Sequence, residues 1–215
     1  MGRPKPAEGI FANTMAYVRW GDGPKTLLVM PGGPGNDPPS GGQIRMMMGR
    51  SLRPLLESGY TMWMVARRRG MPQGHSIEDM AADYADLIAA EFAGRVNLVV
   101  GISYGGAVGQ YLAANHPDRF DHIALVGCAY TFSEPGLRLD YDFAAARSEG
   151  HRAKAGRLMA GAMLSDSRLR WTAPALGTLI GLIPSRVHDQ FRSDMMVEAD
   201  AEMAFDARPV LPRIL

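Results

Sequence analysis

Ser103 stands in Gly101-Ile102-Ser103-Tyr104-Gly105, between an apolar run at residues 96–100 and a helical stretch beginning near Gly106. A serine on a sharp strand-to-helix turn is a candidate nucleophile, because the turn carries its Oγ clear of the backbone. Such a turn needs small neighbours to tolerate a strained backbone, and Gly101, Gly105 and Gly106 supply them. A second glycine cluster, Pro31-Gly32-Gly33-Pro34-Gly35, follows the apolar run 26–30. Backbone N–H groups there could approach the oxyanion that develops when a serine attacks a carbonyl. A glycine-rich strand-to-helix turn can also hold phosphate. Neither G-x-G-x-x-G nor a Walker lysine is present, which weighs against that alternative.

These residues need a sheet to position them. Residues 15–20 and 26–30 are apolar runs separated by Gly21-Asp22-Gly23-Pro24, which reads as a hairpin-like start. Leu52, Leu55 and Leu56 recur at helical spacing before Gly59, and residues 60–66 return as a strand. Ser76 caps a helix whose apolar residues Ile77, Met80, Ala81, Tyr84, Leu87 and Ile88 follow the 3.6 period. Asp79 completes a capping box in its weaker form, and Gly94 ends the helix. Residues 96–100 and 123–126 are further strands. Runs apolar on both faces, separated by helices, imply a mostly parallel sheet covered on both sides.

From residue 133 to 207 the texture turns Ala-, Arg- and Met-rich and helical, with breaks at Gly150, Pro174 and Pro184. The expected organisation is therefore a core at 1–132, an inserted helical cap at 133–207, and the start of another core strand at 208–215. With 215 residues, 47% hydrophobic content and a net charge of +1, the chain can bury one sizeable core. It carries no electrostatic bias toward nucleic acid or anionic membranes. Cys128 is the only cysteine, so neither an internal disulfide nor a thiolate metal cage can form within the sequence. It reads as a buried small hydrophobe. No apolar signal core follows residues 1–10, and the stretch 173–183 is too short to span a bilayer. The expectation is a soluble cytoplasmic protein with no membrane span, no cofactor and no metal.

At the level of these motifs the chain resembles the α/β-hydrolase superfamily, in the branch with a serine nucleophile and a Gly-Gly-Pro-Gly oxyanion loop. The matching residues are Gly32-Gly33-Pro34-Gly35, the elbow from Gly101 to Gly106, and His116-Pro117-Asp118-Arg119 after the elbow helix. Arg69-Gly70 and Ser76-Ile77-Glu78-Asp79-Met80-Ala81-Ala82-Asp83 also resemble a family segment between strand and helix. The resemblance implies the α/β-hydrolase fold, with Ser103 as nucleophile and the N–H groups of Gly33 and Tyr104 as the oxyanion hole. The chain departs from the pattern where Pro31 replaces a histidine, where Ala66-Arg67-Arg68 replaces an acidic approach to the Arg-Gly pair, and where the C-terminal strands are missing.

A serine hydroxyl needs a base, usually a histidine held by a carboxylate, and in this fold the order is Ser, then acid, then His. The resemblance puts both partners beyond Leu215. Within the sequence, His116 and His122 fall at the wrong end of a parallel sheet, and His151 and His188 fall in the expected cap. His75 opens at the right edge but precedes the serine, and reads as a helix-entry residue. Glu134 is a candidate acid only for a variant topology. Arg67, Arg68 and Arg69 read as a solvated loop or as recognition of a carboxylate or partner. Fifteen methionines, including Met46-Met47-Met48, Met159, Met163, Met195 and Met196, read as core filler, with an adaptable apolar acyl pocket as the sharper alternative.

The functional expectation is a serine hydrolase that cleaves an ester, thioester or small amide of a small-molecule acyl substrate through an acyl-enzyme. The alternatives are a proline iminopeptidase-like peptidase and a non-catalytic hydrolase-like binding protein. A serine at the elbow argues against the carboxylate-nucleophile chemistry of dehalogenases and epoxide hydrolases.

Overall fold

The computed structural model describes residues 5–33, 35, 37–182 and 187–214, apart from the side chains of Met47 and Met48. Six strands form one sheet in the order β1-β2-β4-β3-β5-β6. β1 (Ala7–Ile10) pairs antiparallel with β2 (Met15–Trp20), and β2 pairs antiparallel with β4 (Tyr60–Arg68). The remaining pairs, formed by β4, β3 (Lys25–Met30), β5 (Val96–Ile102) and β6 (Phe120–Val126), are parallel.

The hairpin expected between residues 15–20 and 26–30 does not form: β4 lies between β2 and β3. The turn at 21–24 instead carries the chain across the end of β4, where Lys25 N–H donates to Gly59 O at 3.0 Å. A parallel partner for β3 then requires a crossover helix, which is α1 (Gly41–Glu57). The hairpin that does form is β1–β2, closed by Phe11 N–H donating to Met15 O at 3.0 Å.

Alternation along β3 decides which helix covers which face. Leu27 and Val29 pack with Val18, Met62 and Met64 against Ile44 and Leu52 of α1. Leu28 and Met30 face the other way, onto α2 (Ile77–Glu91) and α3 (Tyr104–Asn115), through residues such as Met80, Leu87, Val108 and Leu112. Each such fully buried aliphatic side chain contributes about 1.5–3 kcal/mol. The expected start of α2 is present with its full capping box. Asp79 N–H donates to Ser76 Oγ at 3.1 Å, and Asp79 Oδ2 accepts from Ser76 N–H at 2.8 Å. Gly94, at φ +87°, turns its N–H back to Ile88 O at 3.1 Å and stops the helix.

Beyond β6 the described chain is helical: α4 (Glu134–Ser148), α5 (Arg152–Met163), α6 (Ala173–Leu182) and α7 (Phe191–Met203). Gly150 separates α4 from α5 as the sequence suggests. Pro174 breaks nothing; it stands in the first turn of α6, where a missing N–H costs no hydrogen bond. Pro184 lies outside the described residues. α7 is buried on two sides, with Phe191, Met195 and Ala199 packed on Ala144 of α4, and Val197 and Ala201 joined to the α2–α3 side of the core.

At 208–214 the expected approach to a core strand is instead a 3-10 turn, Leu211–Arg213. The N–H groups of Val210 and Leu211 are spent on Ala207 O at 2.9 and 3.0 Å, and Pro209 and Pro212 have none to give a ladder. Among the described residues, no helix is long and apolar enough to cross a membrane.

Candidate active site

β3 lies between β4 and β5, so the chain leaves β3 toward one side of the sheet and later returns on the other. The crevice beyond the carboxyl ends of the strands, at such a reversal, is where open α/β sheets bind ligands. Met30 pairs with Gly101, so the loop after β3 and the residue after β5 emerge side by side at that edge. The carboxyl end of β4, with Arg67, comes out next to them.

Ser103 caps α3 with φ +50° and ψ −115°, a backbone conformation that L-residues rarely adopt and that costs about 1–3 kcal/mol. Its backbone is pinned: its N–H donates to Val126 O at 2.9 Å, and its carbonyl accepts from Gly106 at 2.7 Å and Ala107 at 3.1 Å. The residue is exposed. Close approach explains the glycines around it. A Cβ on Gly105 would lie 2.2 Å from Met30 O, and one on Gly32 would lie 2.9 Å from Ser103 Cβ. The two glycine clusters therefore touch. Gly33 is different: a Cβ there would meet nothing within 4 Å, but its φ of +73° disfavours other residues. Tyr104 is the first residue of α3, so its N–H precedes any intrahelical acceptor and lies at the positive end of the helix.

Arg67 overturns the expectation of a solvated loop. It lies within β4, fully buried, because a carboxylate from α7 meets it there: Nε donates to Glu198 Oε1 at 2.7 Å and Nη2 to Oε2 at 3.1 Å. The other donors reach the loop after β3, with Nη1 on Pro31 O at 3.1 Å and Nη2 on Gly33 O and Gly35 O at 2.7 and 2.8 Å. Glu198 Oε2 also accepts from Gly35 N–H at 2.6 Å. Burial alone would lower the Arg67 pKa; the Glu198 carboxylate outweighs it and holds the guanidinium firmly protonated. Its Cζ lies 4.6 Å from the Tyr104 ring centroid, and Tyr104 OH donates to Glu198 O at 2.9 Å. Burial pushes that phenol well above its ordinary range, so it remains a neutral donor. Arg68 and Arg69 pair instead with Asp83 and Asp37, at 3.2 and 2.6 Å.

Two more carboxylates line the same face of α7. Asp194 accepts from the N–H groups of Gly70 and Met71, both at 2.9 Å, and so fixes the loop after β4. Glu202 is buried, and burial, followed by the nearby Asp140, pushes its carboxyl up to about 7. The spacing of Asp194, Glu198 and Glu202 is visible in the sequence, but charges every four residues on a helix ordinarily mark a solvated face.

Among the described residues, no side chain hydrogen-bonds to the Ser103 hydroxyl. His116 caps the far end of α3, and His122 pairs with Leu98 toward the opposite edge of the sheet. His151 is exposed and lies 3.0 Å from Glu149, while His188 lies 3.8 Å from Asp194, with burial lowering its pKa. His75 Nε2 is 2.8 Å from Asp83 Oδ2, so it does serve the entry to α2. Glu134 pairs with Arg138 on the surface. Cys128 is half-buried, packed against the elbow helix at Gly106. Met30, Met62, Met64, Met80 and Met195 are core residues, whereas Met46 and Met163 are exposed.

A mostly parallel central sheet with an exposed, strained serine between strand and helix defines a protein of the α/β class. Residues 25–163 match the family model described as the alpha/beta hydrolase fold, and the chain belongs to that family. Its fold is similar to an enol-lactonase from Burkholderia xenovorans (TM-score 0.63, 22% identity, covering 94% of this chain and 74% of that one). It is also similar to an esterase from Exiguobacterium antarcticum (0.63, 19%, 96% and 78%) and a homoserine O-acetyltransferase from Staphylococcus aureus (0.64, 14%, 94% and 71%). A comparison with curated proteins gave no match.

Proposed function

We propose that this protein is a serine hydrolase of esterase type that cleaves an ester, thioester or small amide of a small-molecule acyl substrate. The observation that carries this reading is the exposed Ser103, held at φ +50° at the head of α3 and in contact with the Gly32 turn. Ser103 Oγ attacks the carbonyl carbon while a base takes its proton, and the oxyanion forms against the N–H groups of Gly33 and Tyr104. The leaving group departs with that proton. Water then attacks the acyl-enzyme and restores the serine. None of the five histidines hydrogen-bonds to the Ser103 hydroxyl, so no residue is assigned here as the base. The helical segment within residues 133–207 is assigned as the cap over the acyl pocket.

The lack of a base on Ser103 among the described residues favours one second reading, a hydrolase-like binding protein. Incubation with a fluorophosphonate followed by peptide mapping separates the two. Covalent modification at Ser103, abolished in Ser103→Ala, supports the hydrolase. No modification, together with saturable, reversible binding of acyl esters, supports the binding protein and sinks the catalytic reading.

A further inference from the structure

We infer that Arg67 and Glu198 are positioning residues that hold Pro31, Gly33 and Gly35 so that the Gly33 N–H is aimed at the oxyanion. This inference rests on the hydrolase reading of Ser103. Gly32, Gly33 and Gly35 have no side chains with which to pack, and open space lies where a Gly33 Cβ would be. The backbone of Gly32 packs against Ile102 and Ser103 and that of Gly35 against Met195 and Phe191, but nothing packs at Gly33, so directed hydrogen bonds are what fix its peptides.

Arg67 supplies three of them, to the carbonyls of Pro31, Gly33 and Gly35, while Glu198 holds the Gly35 N–H. The Gly33 N–H belongs to the Gly32–Gly33 peptide, and holding the carbonyls of Pro31 and Gly33 restrains that peptide from both sides. The same guanidinium lies against the ring of Tyr104, whose N–H is the other proposed donor. One buried group thus references both halves of the oxyanion hole. Stability alone is a poor account of such a pair, since buried ion pairs are often replaced by apolar residues without loss. Lysine cannot substitute, because its three donors radiate from a single nitrogen and cannot span this set of acceptors.

The test uses the full chain and two variants, Arg67→Lys and the double variant Arg67→Met/Glu198→Leu. Each is first checked for a cooperative melting transition. Amide hydrogen exchange at Gly32, Gly33 and Gly35 reads the loop directly, without reference to catalysis. The rate of Ser103 labelling by a fluorophosphonate, with kcat and KM for p-nitrophenyl acetate, reads the oxyanion hole. Folded Arg67→Lys is expected to exchange these amides at least about tenfold faster, with KM within about threefold of the parent. Labelling and kcat should fall about 100- to 1,000-fold, the range for loss of one oxyanion donor. Either variant, folded and with unchanged loop exchange, overturns the inference, as does a loosened loop with undiminished labelling. An unlabelled parent protein overturns the hydrolase reading alone; the exchange comparison then still decides whether the pair holds the loop.

Discussion

Arg67–Glu198 and Arg53–Glu57 are the same chemical pair at the same N–O distance, 2.7 Å, with side-chain exposures of 1% and 0% in the first and 58% and 59% in the second. The difference lies entirely in what surrounds them. Arg53 and Glu57 sit one turn apart on the outside of α1, where water solvates either partner alone. Arg67 and Glu198 come from β4 and α7, out of reach of water, and each also serves backbone groups of the loop 31–35. Distance therefore says little about what an ion pair does; desolvation and the additional hydrogen bonds decide it.

The largest effect is expected from removing one partner of the buried pair. Arg67→Ala leaves a desolvated carboxylate and three loop carbonyls without a donor, and is expected to lower unfolding free energy by about 3–5 kcal/mol in urea titration. Next in size is Asp194→Ala, which orphans the N–H groups of Gly70 and Met71. It should lower stability by about 1–3 kcal/mol and accelerate amide exchange in the loop after β4.

Glu202 sharpens the contrast through pH, because it is a buried carboxyl on the same helix face pushed up to about 7 from an ordinary 4.5. The unfolded chain ionises this group first, so its support for the fold is complete below about pH 4.5 and is lost as pH rises through 7. Glu202→Gln should therefore melt higher than the parent at pH 8, by about 1–3 kcal/mol, with the gap closing toward pH 4.5. Equal melting temperatures at pH 8 would contradict the assignment. The smallest effect belongs to the surface pair, where Glu57→Gln is expected to shift stability by less than about 0.5 kcal/mol.

How much of this could be read without coordinates follows the range of the interactions. The elbow was legible because its requirements are local: a serine, flanking glycines, a strand before and a helix after. The capping box of α2 was legible for the same reason, being closed within four residues. The insertion of β4 between β2 and β3 was not, because pairing order depends on where α1 carries the chain. The burial of Arg67 was not legible either, because its partner lies 131 residues away, on a helix whose own charges are spaced like a water-facing stripe.

Neighbouring residues alone specify the strand–serine–helix turn, the glycine loop after β3 and the alternation that makes a sheet covered on two faces. Each depends on steric and periodic rules that neighbouring residues satisfy on their own. Long-range packing sets the rest: that the two glycine turns touch, that residues 211–213 close a 3-10 turn, and that α7 presents Asp194 and Glu198 to the loops around Ser103. These outcomes depend on which surfaces exclude water together. A charged side chain becomes a structural clamp only when a distant segment of the chain takes the water away and supplies the opposite charge.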